Sequence, residues 1–137
     1  MKRNLLILLF IGVVLSSCSP QPASLIGAWK LTGYGPEDSL TPAVTDAEAV
    51  LAFGKDGTVT GSAGCNSLGG DYEVDGGQLI FGPITSTLMG CDDARMVQES
   101  ALMQVLTGTA EFEIEDNTLT LKNKDMLLVF TSATAYP

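Results

Sequence analysis

The chain of 137 residues contains no histidine, one tryptophan and three cysteines. Without histidine, the side chain that most often moves a proton near neutral pH is missing, which excludes Ser-His and Cys-His catalysis and removes the commonest metal ligand. No Cys-x-x-Cys occurs, so thioredoxin-type redox chemistry and zinc ribbons lack their ligand spacing, and neither Ser-x-x-Lys nor Gly-x-Ser-x-Gly appears after residue 17. An enzyme built on this chain would have to pair carboxylates such as Glu48, Asp71 and Asp92 through folding alone. Positive charge is also scarce, with seven Lys and Arg against sixteen Asp and Glu, a net charge of −9. Such a body is repelled by phosphate backbones and anionic headgroups, so nucleic acid is not an expected partner. The one extended apolar run, Leu5 to Leu15, is too short to span a bilayer core, which takes about 20 residues as a helix.

That run is informative in another way. Met1-Lys2-Arg3-Asn4 followed by Leu5 to Leu15 has the positive start and apolar centre of a secretory signal peptide, and loss of Lys2 and Arg3 leaves five basic residues against sixteen acidic, or −11. Leu15-Ser16-Ser17-Cys18 then resembles the lipobox of bacterial lipoproteins. The resemblance implies a signal peptide over 1–17, cleavage after Ser17, and a diacylglyceryl thioether on Cys18 with N-acylation, palmitate being a typical chain. The protein would then hold to a membrane by lipid rather than by basic charge. Ser19, where an aspartate would favour inner-membrane retention, points to the outer membrane, and residues 18–24 with Pro20 and Pro22 form the lipidated terminus and a tether.

From Leu25 to Thr131 there is room for one domain with one core, followed by a tail at 132–137. Leu25 to Thr32 alternates as a strand that turns Trp29 and Leu31 inward, and the segment between Gly35 and Asp46 reads as loop. Two hairpins follow, 49–53 with 58–62 and 70–74 with 78–81, each around an Asp-Gly reversal. Asp71 and Asp75 lack the alternating acids and late glutamate of a calcium loop, and no metal site is expected. Asp92 to Leu106 carries an apolar stripe of Ala94, Val97, Ala101 and Val105 with Leu102 and Leu106 beside it, which predicts a helix with Gln98 and Glu99 on or near its wet face. Asp92 or Asp93 suits its N-cap and Gly108 its C-terminal stop. Three runs, 110–115, 118–122 and 126–131, close the chain as a meander whose apolar alternation is Phe112, Ile114, Leu119, Leu121, Leu127 and Val129. The sum is an α+β domain, a strongly curved antiparallel sheet or partly open barrel of about eight strands with one helix.

Export places Cys65 and Cys91 in an oxidising compartment, and with Cys18 given to lipid they can pair only with each other, the alternative being free thiols. Closing a loop of about 25 residues contributes roughly 3 kcal/mol on the chain-entropy account.

Gly64-Cys65-Asn66, Gly70-Asp71-Tyr72, Asp75-Gly76-Gly77-Gln78-Leu79, Thr87-Leu88-Met89-Gly90-Cys91, the helix bearing Glu99, and Leu119-Thr120-Leu121 occur in an order that resembles the META domain of HslJ-type heat-inducible lipoproteins. The opening Leu25 to Leu31 is similar to that family's first strand, so the likeness runs from Leu25 to Thr131. Two positions depart from the pattern. Gly90 stands where alanine is usual, and Leu68 lies where an aromatic residue is frequent. The resemblance implies an antiparallel, partly open barrel on an envelope lipoprotein, linked with stress response, antibiotic tolerance or secretion, and it brings no catalytic residues and no cofactor.

Two functions compete on these residues. One is a non-catalytic, monomeric envelope lipoprotein that binds a partner protein, with Asn66 and the Gly64 to Gly70 loop setting shape near the contact surface. The other is a small carrier whose curved sheet holds an apolar ligand in a pocket of Trp29, Phe53, Phe81, Met96 and Met103.

Overall fold

Aspartate and glycine set where this chain reverses. The computed structural model describes residues 24–133, so the leader at 1–17, Cys18 and the tether up to residue 23 lie outside the described residues, as do 134–137. Ten strands and one helix are present in this span: β1 (Gly27–Gly35), β2 (Thr41–Pro42), β3 (Val50–Phe53), β4 (Thr58–Ser62), β5 (Ser67–Asp75), β6 (Gln78–Phe81), β7 (Thr85–Ser86), α1 (Asp93–Val105), β8 (Thr109–Glu115), β9 (Thr118–Asn123) and β10 (Met126–Ala133). Between β3 and β4 the Asp56 carboxylate accepts from the Thr58 amide and hydroxyl at 3.2 and 2.7 Å, and Gly57 takes φ 80°, a value that side chains resist.

All pairings are antiparallel, in the order β10-β9-β8-β6-β5-β4-β3-β1-β2. β10 also pairs β1 from Ala28↔Ala133 to Gly35↔Leu127, so eight strands close into a barrel. The expected curved or partly open sheet is thus closed, with β2 an appendage of β1 and β7 of β5. β7 takes over the edge of β5 at Leu68 and Gly69, above the Tyr72 to Asp75 stretch that β6 pairs. An up-and-down barrel with an even strand number must bring its first and last strands to the same end. The turns at 54–57, 76–77 and 116–117 share that lower end with the two ends of the described chain. The 36–49, 63–66 and 82–92 connections, α1 and the Lys124-Asp125 turn occupy the upper end.

The interior is apolar. Trp29, Leu31, Leu51, Phe53, Val59, Leu79, Leu119, Leu121, Leu128 and Phe130 form one cluster, which Ala101, Leu102 and Val105 of α1 and Leu106 at its C-cap join from above. The helix packs against β1, β9 and β10, and Asn123 of the upper turn donates to the carbonyls of Gln104 and Thr107 at its C-terminus. Phe53 meets Tyr72 edge to face at 5.1 Å.

Several local expectations change. β5 begins at Ser67 rather than Gly70, and β10 runs two residues past 131. In β10 the inward residues are Leu128 and Phe130, not Leu127 and Val129: Met126 to Phe130 is apolar in both phases, and pairing with Leu121 and Leu119 decides between them. On α1, Ala94 and Val97 face water while Gln98 is fully buried. The apolar stripe is therefore carried by the helix's second half, and a glutamine fills its first.

Candidate functional site

The upper end is organised by two buried amides. Asn66, 2% exposed, follows Gly64 and Cys65 in the β4–β5 connection. Its Nδ2 donates to Glu99 Oε1 at 2.8 Å and to the Met89 carbonyl at 3.2 Å. Its Oδ1 accepts from the Met89 amide at 2.7 Å and the Thr87 hydroxyl at 2.8 Å. A carboxamide has two donors and two acceptor positions, and all are engaged. The Asn66 amide adds a bond to Glu99 Oε2 at 3.0 Å, so both oxygens of that carboxylate rest on one residue. Asn66 has an ordinary negative φ, and Gly64 beside it takes +97°. The side chain therefore serves to hold backbone.

Gln98 does the same for another segment. Its Oε1 accepts from the Val44 amide at 2.8 Å, and its Nε2 donates to the Ala63 carbonyl at 3.0 Å. A Cβ on Gly64 would lie 2.7 Å from that Nε2 and 2.8 Å from the Ala47 carbonyl, so the glycine is required by space as well as by φ. Glu99 and Gln98, adjacent on α1, thus both fasten the helix to the 63–66 connection, and Gln98 ties it to the 36–49 connection as well.

The third tie is covalent. Cys65 and Cys91 form a disulfide with an S–S distance of 2.00 Å and Cα atoms 6.1 Å apart, joining the β4–β5 connection to the entrance of α1. Asp92 caps that entrance, accepting from the Arg95 amide at 3.2 Å and pairing with the Arg95 guanidinium at 3.1 Å. Between the fixed points at Thr87 and Cys91, Leu88 is 95% exposed and Met89 58%. Gly90 has open space where a Cβ would stand, so its departure from the usual alanine is sterically silent, and Leu68 is buried in the core.

The carboxylates weighed for catalysis are not brought together here. Glu48 pairs with Lys30, Asp71 lies opposite Thr58 and Asp92 caps α1, so these three carboxylates have separate surroundings. Among the described residues no three acidic or cysteine side chains converge as a metal cradle would require. The shifted titrations lie elsewhere. Hydrogen bonds from Thr58 hold the Asp56 carboxyl below its ordinary value, and burial, with the Asp56 charge behind it, pushes the Tyr72 hydroxyl up.

Of the candidate pocket residues, Trp29, Phe53 and Phe81 are core and Met103 packs against it. Met96 stands apart, lining a cleft of about 700 Å³ between α1 and the Tyr34 to Thr41 segment, together with Tyr34, Pro36, Val97 and Met126. The five residues therefore do not share one pocket. Sequence reasoning missed the buried Gln98 and the exposed Leu88-Met89 pair. For the latter a signal existed: two apolar residues between Thr87 and Gly90, outside any strand or helix period.

Comparison with known proteins agrees with this architecture. The structure is similar to an NMR structure of a protein from Burkholderia xenovorans, at 22% identity and a TM-score of 0.67 over 80% of this chain and 83% of that one. It is also similar to a crystal structure of a DUF4847 family protein from Bacteroides vulgatus, at 15% identity and a TM-score of 0.56 over 77% and 91% of the two chains. At these identities the likeness is one of fold. No curated protein matches the chain. The META domain model matches residues 23–135, which takes in every strand and the helix. With that match spanning all the described strands and the helix of the closed barrel, the chain belongs to the META domain family.

Proposed function

We propose that this chain is a lipid-anchored protein of the cell envelope, held at Cys18 and directed to the outer membrane, whose META domain is a non-catalytic module for binding a partner protein. A role in envelope stress or antibiotic tolerance would follow from that binding. The observation that carries the reading is the separation of ends: the chain enters and leaves at the lower end, while the hydrogen-bonded loops and α1 crowd the upper one. An anchor at Cys18 leaves five residues, or six Cα steps, before Ser24, a reach of at most about 20 Å. Membrane attachment would therefore be at the lower end and recognition at the upper. Labelling cells with radioactive palmitate tests the anchor. The full chain is expected to take up label and sediment with outer membranes, and Cys18→Ser to lose both; label retained in Cys18→Ser would refute it.

A second reading, a carrier of a small apolar ligand, is supported by the Met96 cleft, whose volume lies within the range of ligand pockets. Native mass spectrometry of the gently purified protein should then show an adduct of a few hundred daltons that Met96→Glu abolishes. A bare mass in both proteins would count against it.

A further inference from the structure

We propose that Leu88 and Met89 form a preset docking tip for a partner protein that offers an apolar pocket with a basic rim. The proposal deepens the binding role given above and takes its orientation from the proposed anchor.

A leucine with 95% of its surface in water is the most exposed large apolar side chain among the described residues, and Met89 extends the same patch. Scattered exposed apolar residues are ordinary on protein surfaces. This pair differs in how its backbone is held. Asn66 grips Met89 from both sides, accepting from its amide and donating to its carbonyl. The Thr87 amide bonds the Ser67 carbonyl at 3.0 Å, and Cys91 is fixed by the disulfide. A fully engaged buried asparagine and both oxygens of Glu99 thus immobilise a stretch whose side chains touch little of the domain. Order fixed before binding lowers the entropy lost on binding, which is what a recognition tip requires.

The surroundings select the occupant. Asp92 and Asp93 are exposed beside Cys91, and the Asp46 carboxylate is exposed across from them. Arg95 is bonded to Asp92 and Asp46, leaving the rim acidic on a chain of net charge −9. Acidic lipid headgroups would be repelled, and so would a second copy presenting the same rim. The topology points the same way. Leu88 lies in the connection at the upper end, opposite the chain's entry at Ser24, so a body tethered near Cys18 turns this tip away from its own membrane. What remains is a protein with a hydrophobic recess bordered by Lys or Arg.

The test places a photo-crosslinking phenylalanine analogue at position 88 or 89 of the full, lipidated chain in intact cells, with Val74 on lower β5, also exposed, as the control position. The expected result is one discrete protein adduct from 88 and 89 and none from 74. Adding Leu88→Asp to the position-89 probe should cut the adduct at least tenfold, and the captured protein, once purified, should bind the Leu88→Asp chain with a Kd raised at least tenfold. An intact disulfide and unchanged thermal melting of Leu88→Asp show that the loss is not one of folding. An adduct of twice the chain's mass, a lipid adduct, or no adduct from a chain that still carries palmitate would each overturn the docking tip while leaving the anchor standing. Failure of palmitate labelling would remove the anchor instead.

Discussion

The two ends of the barrel are closed by different physics. At the lower end the chain reverses at Gly54 to Gly57, Gly76-Gly77 and Asp116-Asn117, and each reversal is settled by its own residues, as where Asp56 bonds Thr58 and Gly57 takes a positive φ. At the upper end the 36–49 and 82–92 connections are long. The four-residue 63–66 connection closes locally, with the Ala63 amide bonded to the Asn66 carbonyl at 2.9 Å and Gly64 at a positive φ, but local bonds are not all that holds these three. They are fixed across the sequence, through Gln98 to Val44 and Ala63, Asn66 to Met89 and Glu99, and Cys65 to Cys91. Short reversals need suitable backbone conformers, whereas long connections need partners for polar groups that packing would otherwise strand.

If that contrast holds, damage to the wall should lower protection uniformly, and damage to the upper ties should add a local loss at the loops they hold. Leu119→Ala removes a fully buried side chain facing Phe130 and should cost about 2–5 kcal/mol, lowering the whole unfolding transition in denaturant melts. Reducing and alkylating the disulfide should cost roughly 3 kcal/mol by the chain-entropy account. Strand amides that exchange through global unfolding should lose protection by no more than that, roughly a hundredfold, with a larger loss at 63–66 and 87–92. Asn66→Ala leaves the Met89 amide, the Thr87 hydroxyl and Glu99 Oε1 without their partner, while the backbone amide of residue 66 still reaches Glu99 Oε2, a cost of about 2 kcal/mol. Exchange should rise most at residues 87–91, with β9 and β10 losing no more protection than that global cost. Uniform loss of protection in either upper-end experiment would break the comparison.

The smallest effect is the exposed pair Glu37 and Lys122, 2.8 Å apart. The Lys122 hydrogen bond, and then its charge, holds the Glu37 carboxyl below its ordinary value, and the same partner raises Lys122. With the carboxylate depressed, its contribution is present above the ordinary carboxylate range and fades as pH falls through the folded value. The raised ammonium contributes below its ordinary range and loses that contribution as pH rises through its own folded value. In an NMR titration Lys122→Ala should return Glu37 to the usual range without altering the fold. An unmoved Glu37 would deny the pair.

Much of the wall was legible because its signals are local. Both Asp-Gly hairpins, the inward Trp29 and Leu31 and the helix from its Asp92 cap follow from residues a few positions apart. Closure was not, since pairing of Ala28 with Ala133 is a property of the whole strand order. Phase in β10 failed for a related reason: five consecutive apolar residues carry no alternation, and only neighbouring strands choose between the faces. Gln98 was misplaced because a glutamine on a helix is ordinarily wet, and nothing nearby in sequence announces Val44, Ala63 and Ala47 as its partners.

The adjacency of first and last strands also fixes how the domain would bear mechanical load. Tension drawn between Gly27 and Ala133 acts at one end of two paired antiparallel strands, so the β1–β10 seam opens rung by rung from Ala28↔Ala133 toward Gly35↔Leu127. Each rung then takes the force alone. A pull between Leu88 and the N-terminus instead runs along the barrel from top to bottom and must slide whole strands past one another. Docked at its tip and tethered at its base, the domain would carry tension along its stiff direction.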